Sequence, residues 1–521
     1  MMLSTLDAVI VLAYLAGIFA LAQWVSREKP GHRKDAQDYF LASRMLPWWA
    51  IGASLISANI SAEQIIGMSG SGFALGLAIA SYEWMAAITL LVVAKWFLPI
   101  FLRNRIYTMP QFLEQRFGGR IRTLMAVFWV GLYVFVNLTS VLWLGSLAIA
   151  YVAGVDQTWA MAGLAAFAMA YTLYGGLKAV ALTDIVQVVL LVAGGLLLAG
   201  ITLDRIGEGA GIWAGFQRLR MEVPGHFHMI LSPDNPFYKD LPGLGVLLGG
   251  LWVMHFSYWG FNQYIIQRAL AAKDIGEAQK GVLFAAGLKI LMPLIVVLPG
   301  LAAVLLAPDL PRPDAAYPTM MGLLPVGILG IVFAALIAAI VSSLASMTNS
   351  ISTIFTLDIY NRMGAEKDQA AIVRTGRIVA VVSMLVAALT ARPLLAGFDQ
   401  GFQYIQDYTG FFTPGIVAIF LLGLFWKRAN EAGALAAAGG SFVLSIAMNF
   451  LLPDLPFIHR VGIVFVLAVG LGMVVSLLTP PAAEGRDRIR TDDVVYDTSA
   501  VFNVGAWGVV AILVALYAIF W

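Results

Sequence analysis

Ala58-Asn59-Ile60-Ser61-Ala62-Glu63-Gln64-Ile65-Ile66-Gly67-Met68-Ser69-Gly70-Ser71-Gly72 places a carboxylate, two amides and three glycines inside a run that is otherwise apolar. Asn59 and Glu63 stand four residues apart, on one face of a helix, with Gln64 beside them. Polar groups of this kind are expensive in lipid, so they are expected to face a cavity. So many polar residues and glycines predict an interrupted helix, whose freed carbonyls can hold a cation.

The rest of the chain has the composition that such a segment requires. Of 521 residues, 60% are hydrophobic and 12% charged, and the mean hydropathy is +0.85. Soluble domains carry about 25% charged residues, so a water-soluble fold is excluded. The chain has no cysteine, which removes disulfides, iron–sulfur clusters and thiol catalysis. A net charge of +2 leaves no nucleic-acid footprint. No GxxxxGK[ST] phosphate loop occurs, and no nucleophile–base pair or metal-ligand cluster stands among the intramembrane groups, so neither ATP-driven pumping nor an enzyme is expected.

A hydrocarbon core of about 30 Å needs roughly 20 apolar residues per helix. At that length the chain holds about fourteen candidate spans, centred near residues 15, 58, 88, 135, 165, 190, 255, 293, 340, 384, 414, 441, 470 and 511. The first run, from Leu6 to Val25, lacks a basic leader and a small-residue cleavage site and reads as a retained helix. An even number of crossings puts both termini on one side. With the termini extracytoplasmic, the cytoplasmic loops (26–45, 103–122, around 178, 267–280, 358–377, 427–428 and 480–500) hold 23 of the 32 Lys and Arg residues. This is the positive-inside pattern of a multi-pass protein of the cell inner membrane.

The fifteen-residue stretch has a counterpart about two hundred residues later. Gly249-Gly250 is followed by His255, Tyr258, Trp259 and Gly260. The span after each interruption carries one charge, Glu83 in the first case and Lys289 in the second. Paired broken helices of this kind point to an inverted-repeat transporter. The expected fold is all-α, with a five-plus-five core. Residues 1–45 form the first helix and a cytoplasmic loop, and 46–203 the first repeat. Residues 204–242 form an external loop that caps the protein, 243–426 the second repeat, and 427–521 three further helices. The span near 340 contains Ser342-Ser343, hydroxyls suited to a hard cation such as sodium; serines that bond back to their own helix are the alternative.

These segments resemble the sodium/glucose cotransporter branch of the solute:sodium symporter family. The likeness rests on Ala58 to Gly72, Ser81 to Met85, Gly260 to Tyr264 and Val341 to Met347, together with Gly175-Gly176-Leu177-Lys178-Ala179-Val180 leading to Thr183-Asp184, and Gly423 to Arg428. It runs from about residue 36 to the C-terminus and is weakest near 204–225 and 430–500. The resemblance implies a sodium-coupled symporter of a hexose, of galactose or glucose type, working by alternating access. Gln64, Glu83, Lys289 and Gln406 then match sugar hydrogen-bonding positions, Tyr258 the aromatic against which the ring stacks, with Trp259 beside it, and Met68, Tyr82 and Phe402 an outer gate. Sodium would be held by the hydroxyls of Ser342 and Ser343 and the carbonyls of Ser57, Ile60 and Ala339, and Asp184 matches a residue associated with sodium passage.

The chemistry of the residues agrees with a sugar. A neutral, hydroxyl-ringed ligand with an apolar face calls for acceptors, donors and an aromatic plate, and this set supplies all three. A structural Glu83–Lys289 ion pair is the alternative for those two residues, and a structural carboxylate is the alternative for Asp184. His255 stands where galactose-type members have an asparagine, and Ala86 where they have a serine, so the sugar class holds and the particular sugar does not follow. Ala345 lacks the hydroxyl that two-sodium members carry, which favours one sodium. A sodium symporter of another polyol or sugar acid, and a sugar sensor without net flux, are the competing readings.

Overall fold

The computed structural model describes residues 3–25, 46–106, 108–363, 368–397, 400–481, 489 and 493–521, with backbone alone at 173–183 and 369–370. The expected loop at 26–45, most of that at 480–500, and the side chains of the motif Gly175 to Val180 with Thr183 lie outside this description. The described residues are helical throughout, the one β-bridge being Leu46 with Ala272. Polar residues start many helices: Asp156, Asp274, Asn430 and Ser499 each accept an otherwise unpaired backbone N–H of the first turn.

Ten described helices are long and apolar enough to cross a membrane, and a pair bent by 49°, Gly401–Gly410 with Thr413–Phe425, makes eleven. The fourteen spans counted in the sequence are therefore not confirmed as fourteen continuous helices. The three that differ are those near 58, 165 and 255. Two of these are the interrupted segments. The third is the front of one unbroken helix, Gln157–Ile206, where a loop near residue 178 was expected. Two glycines cost a helix only about 1 kcal/mol each, and the Leu, Ala and Val residues that follow Gly175-Gly176 are compatible with its continuing.

We label α1 Thr5–Val25, α2 Trp48–Asn59, α3 Met68–Leu75, α4 Ser81–Val92, α5 Leu251–His255, α6 Gln263–Leu270, α7 Ile275–Ile295, α8 Val297–Leu306 and α9 Ile328–Ile354. The α2 helix stops at Ile60, whose ψ of 84° is not helical, and the chain re-enters through a π-turn at Glu63–Gly67 before α3. In the second interrupted segment, α5 runs into a π-turn at Phe256–Phe261, and Asn262 then breaks the helix and caps α6 through Tyr264 N at 3.2 Å. The break therefore lies at Ile60–Ala62, upstream of the glycines expected to cause it.

Those glycines serve packing instead. A Cβ on Gly72 would lie 2.9 Å from the Val297 carbonyl, and one on Gly300 would lie 2.1 Å from the Ser69 carbonyl. Thus α3 and α8 meet backbone to backbone, the usual use of small residues between membrane helices. The almost wholly buried α9 forms the centre and packs on Gln157–Ile206, and α1 joins it through Asp7, whose Oδ1 accepts from Gly327 N (2.7 Å) and Gly330 N (2.9 Å). The Pro224–Phe227 turn lies against Gly76, where a Cβ would meet the His226 carbonyl at 2.5 Å, and Met229 N bonds Phe520 O at 2.7 Å.

Replacing Gly300 with valine should force α3 from α8. Overpacking of this kind costs about 1–3 kcal/mol, so the variant should melt at a clearly lower temperature in detergent, as followed by size-exclusion of heated samples. An unchanged melting curve would contradict the close approach.

Candidate functional site

One cavity collects every residue assigned to sugar binding from the sequence. Gln64, Glu83, His255, Tyr258, Trp259, Lys289 and Gln406 all line it, as do Met68, Tyr82 and Phe402. The two π-turns supply Gln64 on one side and Tyr258 with Trp259 on the other, while α4 and α7 supply Glu83 and Lys289. A π-turn inserts one residue into a helix and re-aims the side chains around it, and such turns cluster at functional sites.

The polar groups form a chain. Gln64 Nε2 donates to Glu83 Oε1, and Lys289 Nζ donates to Glu83 Oε2 at 2.6 Å and to Asn59 Oδ1. Asn59 Nδ2 in turn donates to the Tyr258 hydroxyl at 3.1 Å. Glu83 and Lys289 are each 1% exposed, so removing either strands a buried charge at a cost of about 3–5 kcal/mol. The ion pair anticipated as a structural alternative exists, and it lines the cavity as well.

Aromatic groups close two walls. Lys289 Nζ lies 4.9 Å from the Trp259 ring centre, a cation–π contact, and Tyr258 meets Trp259 edge-on at 5.1 Å. Tyr82 meets Phe402 edge-on at 5.0 Å and His255 at 6.2 Å, with Met68 buried nearby. Among the described residues His255 Nε2 has no hydrogen-bond partner, and Gln406 borders the cavity.

A second polar cluster forms beside the break in the first interrupted segment. Ser61 N donates to the Asn59 carbonyl at 2.8 Å instead of to Ser57, so the last turn of α2 presents carbonyl oxygens that lack their usual donors. Ser343 Oγ approaches the Ala58 carbonyl at 3.4 Å. Asp184 accepts from Ser54 Oγ (2.7 Å), Ser57 Oγ (3.0 Å) and Ser342 Oγ. Ser57, Ser342, Ser343 and Asp184 are thus brought together as the sequence implied; Ile60 occupies the break, and Ala339 lies one turn before Ser343 on α9. Neutral oxygens from an unwound backbone and adjacent hydroxyls are the donor set that suits sodium.

Several members of these clusters escaped the sequence. Asn59 was noted as polar but given no place in the site, and it joins Lys289 to Tyr258. Arg268, counted among loop cations, is wholly buried: its Nε donates to Ser54 O and Oγ at 2.9 Å, and one terminal nitrogen donates to Ser346 Oγ at 2.6 Å and lies 3.9 Å from Asp184. Its burial has no signature in charge spacing. Ser54, three residues before Ser57 on one helical face, could have been found from periodicity.

The sodium:solute symporter family model matches residues 39–439. A sodium/glucose cotransporter of Vibrio parahaemolyticus is 48% identical over all of this chain and 99% of its own length. The sodium/myo-inositol cotransporter 2 of Oryctolagus cuniculus is 32% identical over 87% of this chain and 70% of its own. Among solved structures, a substrate-bound, outward-open Na⁺-coupled sialic acid symporter superposes with a TM-score of 0.79 at 23% identity, over 92% of this chain and 99% of that one. Mhp1, a nucleobase-cation-symport-1 family transporter, gives a TM-score of 0.57 at 14% identity, over 86% and 97%. The two structures share the fold, and the family match together with the full-length relative settles membership: this chain belongs to the sodium:solute symporter family of multi-pass membrane transporters, and the ion it co-transports is sodium.

Proposed function

We propose that the protein is a sodium-coupled symporter of a neutral hexose, of galactose or glucose type, that works by alternating access. The observation that carries this reading is the convergence in one cavity of Gln64, Glu83, Lys289 and Gln406 with Tyr258 and Trp259. Acceptors, donors and an aromatic plate match the hydroxyls and the apolar face of a pyranose. The full-length likeness to a sodium/glucose cotransporter supports the same substrate class. In this reading Met68, Tyr82 and Phe402 are the outer gate. One sodium is held by Ser342, Ser343 and the carbonyls of Ser57, Ile60 and Ala339, and Asp184 receives it on passage. Both termini face the extracytoplasmic side. A cyclic polyol is a second reading, supported by the likeness to myo-inositol cotransporters.

Sodium-driven uptake of labelled galactose and glucose into proteoliposomes, with myo-inositol and mannose as competitors, tests the substrate class. Hexoses should compete well and myo-inositol poorly; the reverse order would favour the polyol. Replacing His255 with asparagine should change the ranking of the hexose epimers and leave sodium activation as it was. An identical ranking would give His255 a structural role.

Ser343→Ala tests the ion site in the same assay. It removes one oxygen from a small set and should abolish sodium-driven uptake in a protein that still folds and inserts. Sodium activation equal to that of the wild type would exclude Ser343 as a ligand.

A further inference from the structure

We propose that the groove between helices Gly119–Leu132, Thr413–Phe425 and Glu431–Leu451 binds one membrane phospholipid with a phosphoethanolamine head group. Its phosphate rests on Arg120, its ammonium on Glu431, and one acyl chain fills an apolar cavity behind them. The inference holds whichever solute is carried.

The apolar part is a cavity of about 230 Å³; one of about 150 Å³ already holds a benzene-sized guest. Phe128, Phe412 and Phe442 form its wall, with the Phe412 ring centre 4.4 Å from that of Phe128 and 5.3 Å from that of Phe442. Its one polar side chain among the described residues, Ser441, donates to the Ala438 carbonyl at 2.9 Å. Nothing in the wall calls for water, and hydrocarbon is the guest that fits. Leu124 and Phe442, 45% and 42% exposed, open the cavity to the lipid around the helices. Phe442 lies eleven residues beyond Glu431, about 16 Å along the helix axis, close to the depth of one leaflet of a hydrocarbon core about 30 Å thick.

A polar end adjoins this cavity. Leu124 also lines a second hollow, bordered by Arg120, Arg362 and Glu431. Arg362 is held by Glu114 at 2.7 Å, whereas Arg120 is exposed and makes no ion pair among the described residues. Glu431 is fixed in place: its Oε1 accepts from Arg120 N at 3.0 Å, and a Cβ on Gly118, where φ is +142°, would lie 2.7 Å from that oxygen. One free guanidinium and one placed carboxylate at the mouth of an apolar shaft complement a zwitterion rather than an anion. The guanidinium matches a phosphate, and a primary ammonium offers Glu431 three N–H donors where a trimethylated one offers none. Ile416 lines both the apolar cavity and the cavity of Gln64 and Glu83, so the acyl chain lies one side chain from the solute site.

Gly439 supplies the test. It lines the apolar cavity, and a Cβ there meets nothing within 4 Å, so a side chain can enter the space. Gly163 is equally open and stands outside the cavity, which makes it the control. The full-length protein, delipidated in detergent, is titrated with dioleoyl phosphatidylethanolamine, phosphatidylcholine or phosphatidylglycerol, and bound lipid is counted by native mass spectrometry. The wild type and Gly163→Phe should hold one saturable phosphatidylethanolamine, about fivefold more tightly than either other lipid, the upper range for an exposed ion pair. Glu431→Gln should bring phosphatidylethanolamine and phosphatidylcholine within about twofold. Gly439→Phe should lose the saturable lipid whatever its head group. The proposal is overturned by a wild type with no saturable lipid or no preference for phosphatidylethanolamine, by a wild-type ratio in Glu431→Gln, by lipid retained in Gly439→Phe, or by its equal loss from Gly163→Phe. The wild-type order of head groups decides the matter should Gly439→Phe fail to fold.

Discussion

The interruption of the first core helix at Ile60–Ala62 is the constraint on which both clusters depend. On one side the last turn of α2 presents Ser57 and Ala58 toward Ser342, Ser343 and Asp184. On the other side, Asn59 and the π-turn residue Gln64 reach Lys289 and Glu83. Only three residues, Ser61 to Glu63, thus separate Ile60, proposed to hold sodium, from Gln64, proposed to hold sugar. A continuous helix at this point would satisfy its own carbonyls and turn Gln64 elsewhere on the helix, so neither arrangement would form.

Buried charge organises the same region. Lys289 is held by Glu83 and Asn59, and Arg268 lies near Asp184 among the hydroxyls of Ser54 and Ser346. Each cation sits beside a carboxylate and beside atoms of the broken helix. Charges taken out of water in this way are tolerated only with their hydrogen bonds made, so the two clusters fix the relative positions of α2, α4, α6, α7 and α9. In the proposed symport, a shared element of this kind would let what one cluster does to the α2 break be felt by the other.

Much of this was legible in the sequence. Apolar lengths gave the helices, and polar residues inside them marked both interrupted segments, because lipid makes such residues costly wherever they are not used. The residues of the proposed sugar site came from the resemblance together with their chemistry, and all of them border one cavity. What escaped depended on tertiary contact. Arg268 carries the same charge pattern as a loop cation and becomes a core residue only because Ser54, Tyr264 and Ser346 meet around it. The glycines of the first segment looked like helix breakers, and Gly72 and its partner Gly300 serve instead to let α3 and α8 touch. Near residue 178 the apolar lengths implied a loop between two spans, and the backbone instead runs on as one helix, Gln157–Ile206.

If the broken helix joins the two sites, sodium and sugar should move as one event, and each gradient should drive the other solute. The most direct measurement is the flux of labelled sodium into proteoliposomes that start with equal sodium inside and out and a hexose gradient across the membrane. The account predicts that sodium accumulates transiently with the sugar, in a ratio of about one to one given the single proposed set of ligands. Sugar that equilibrates with no net movement of sodium would contradict the shared break as the coupling element.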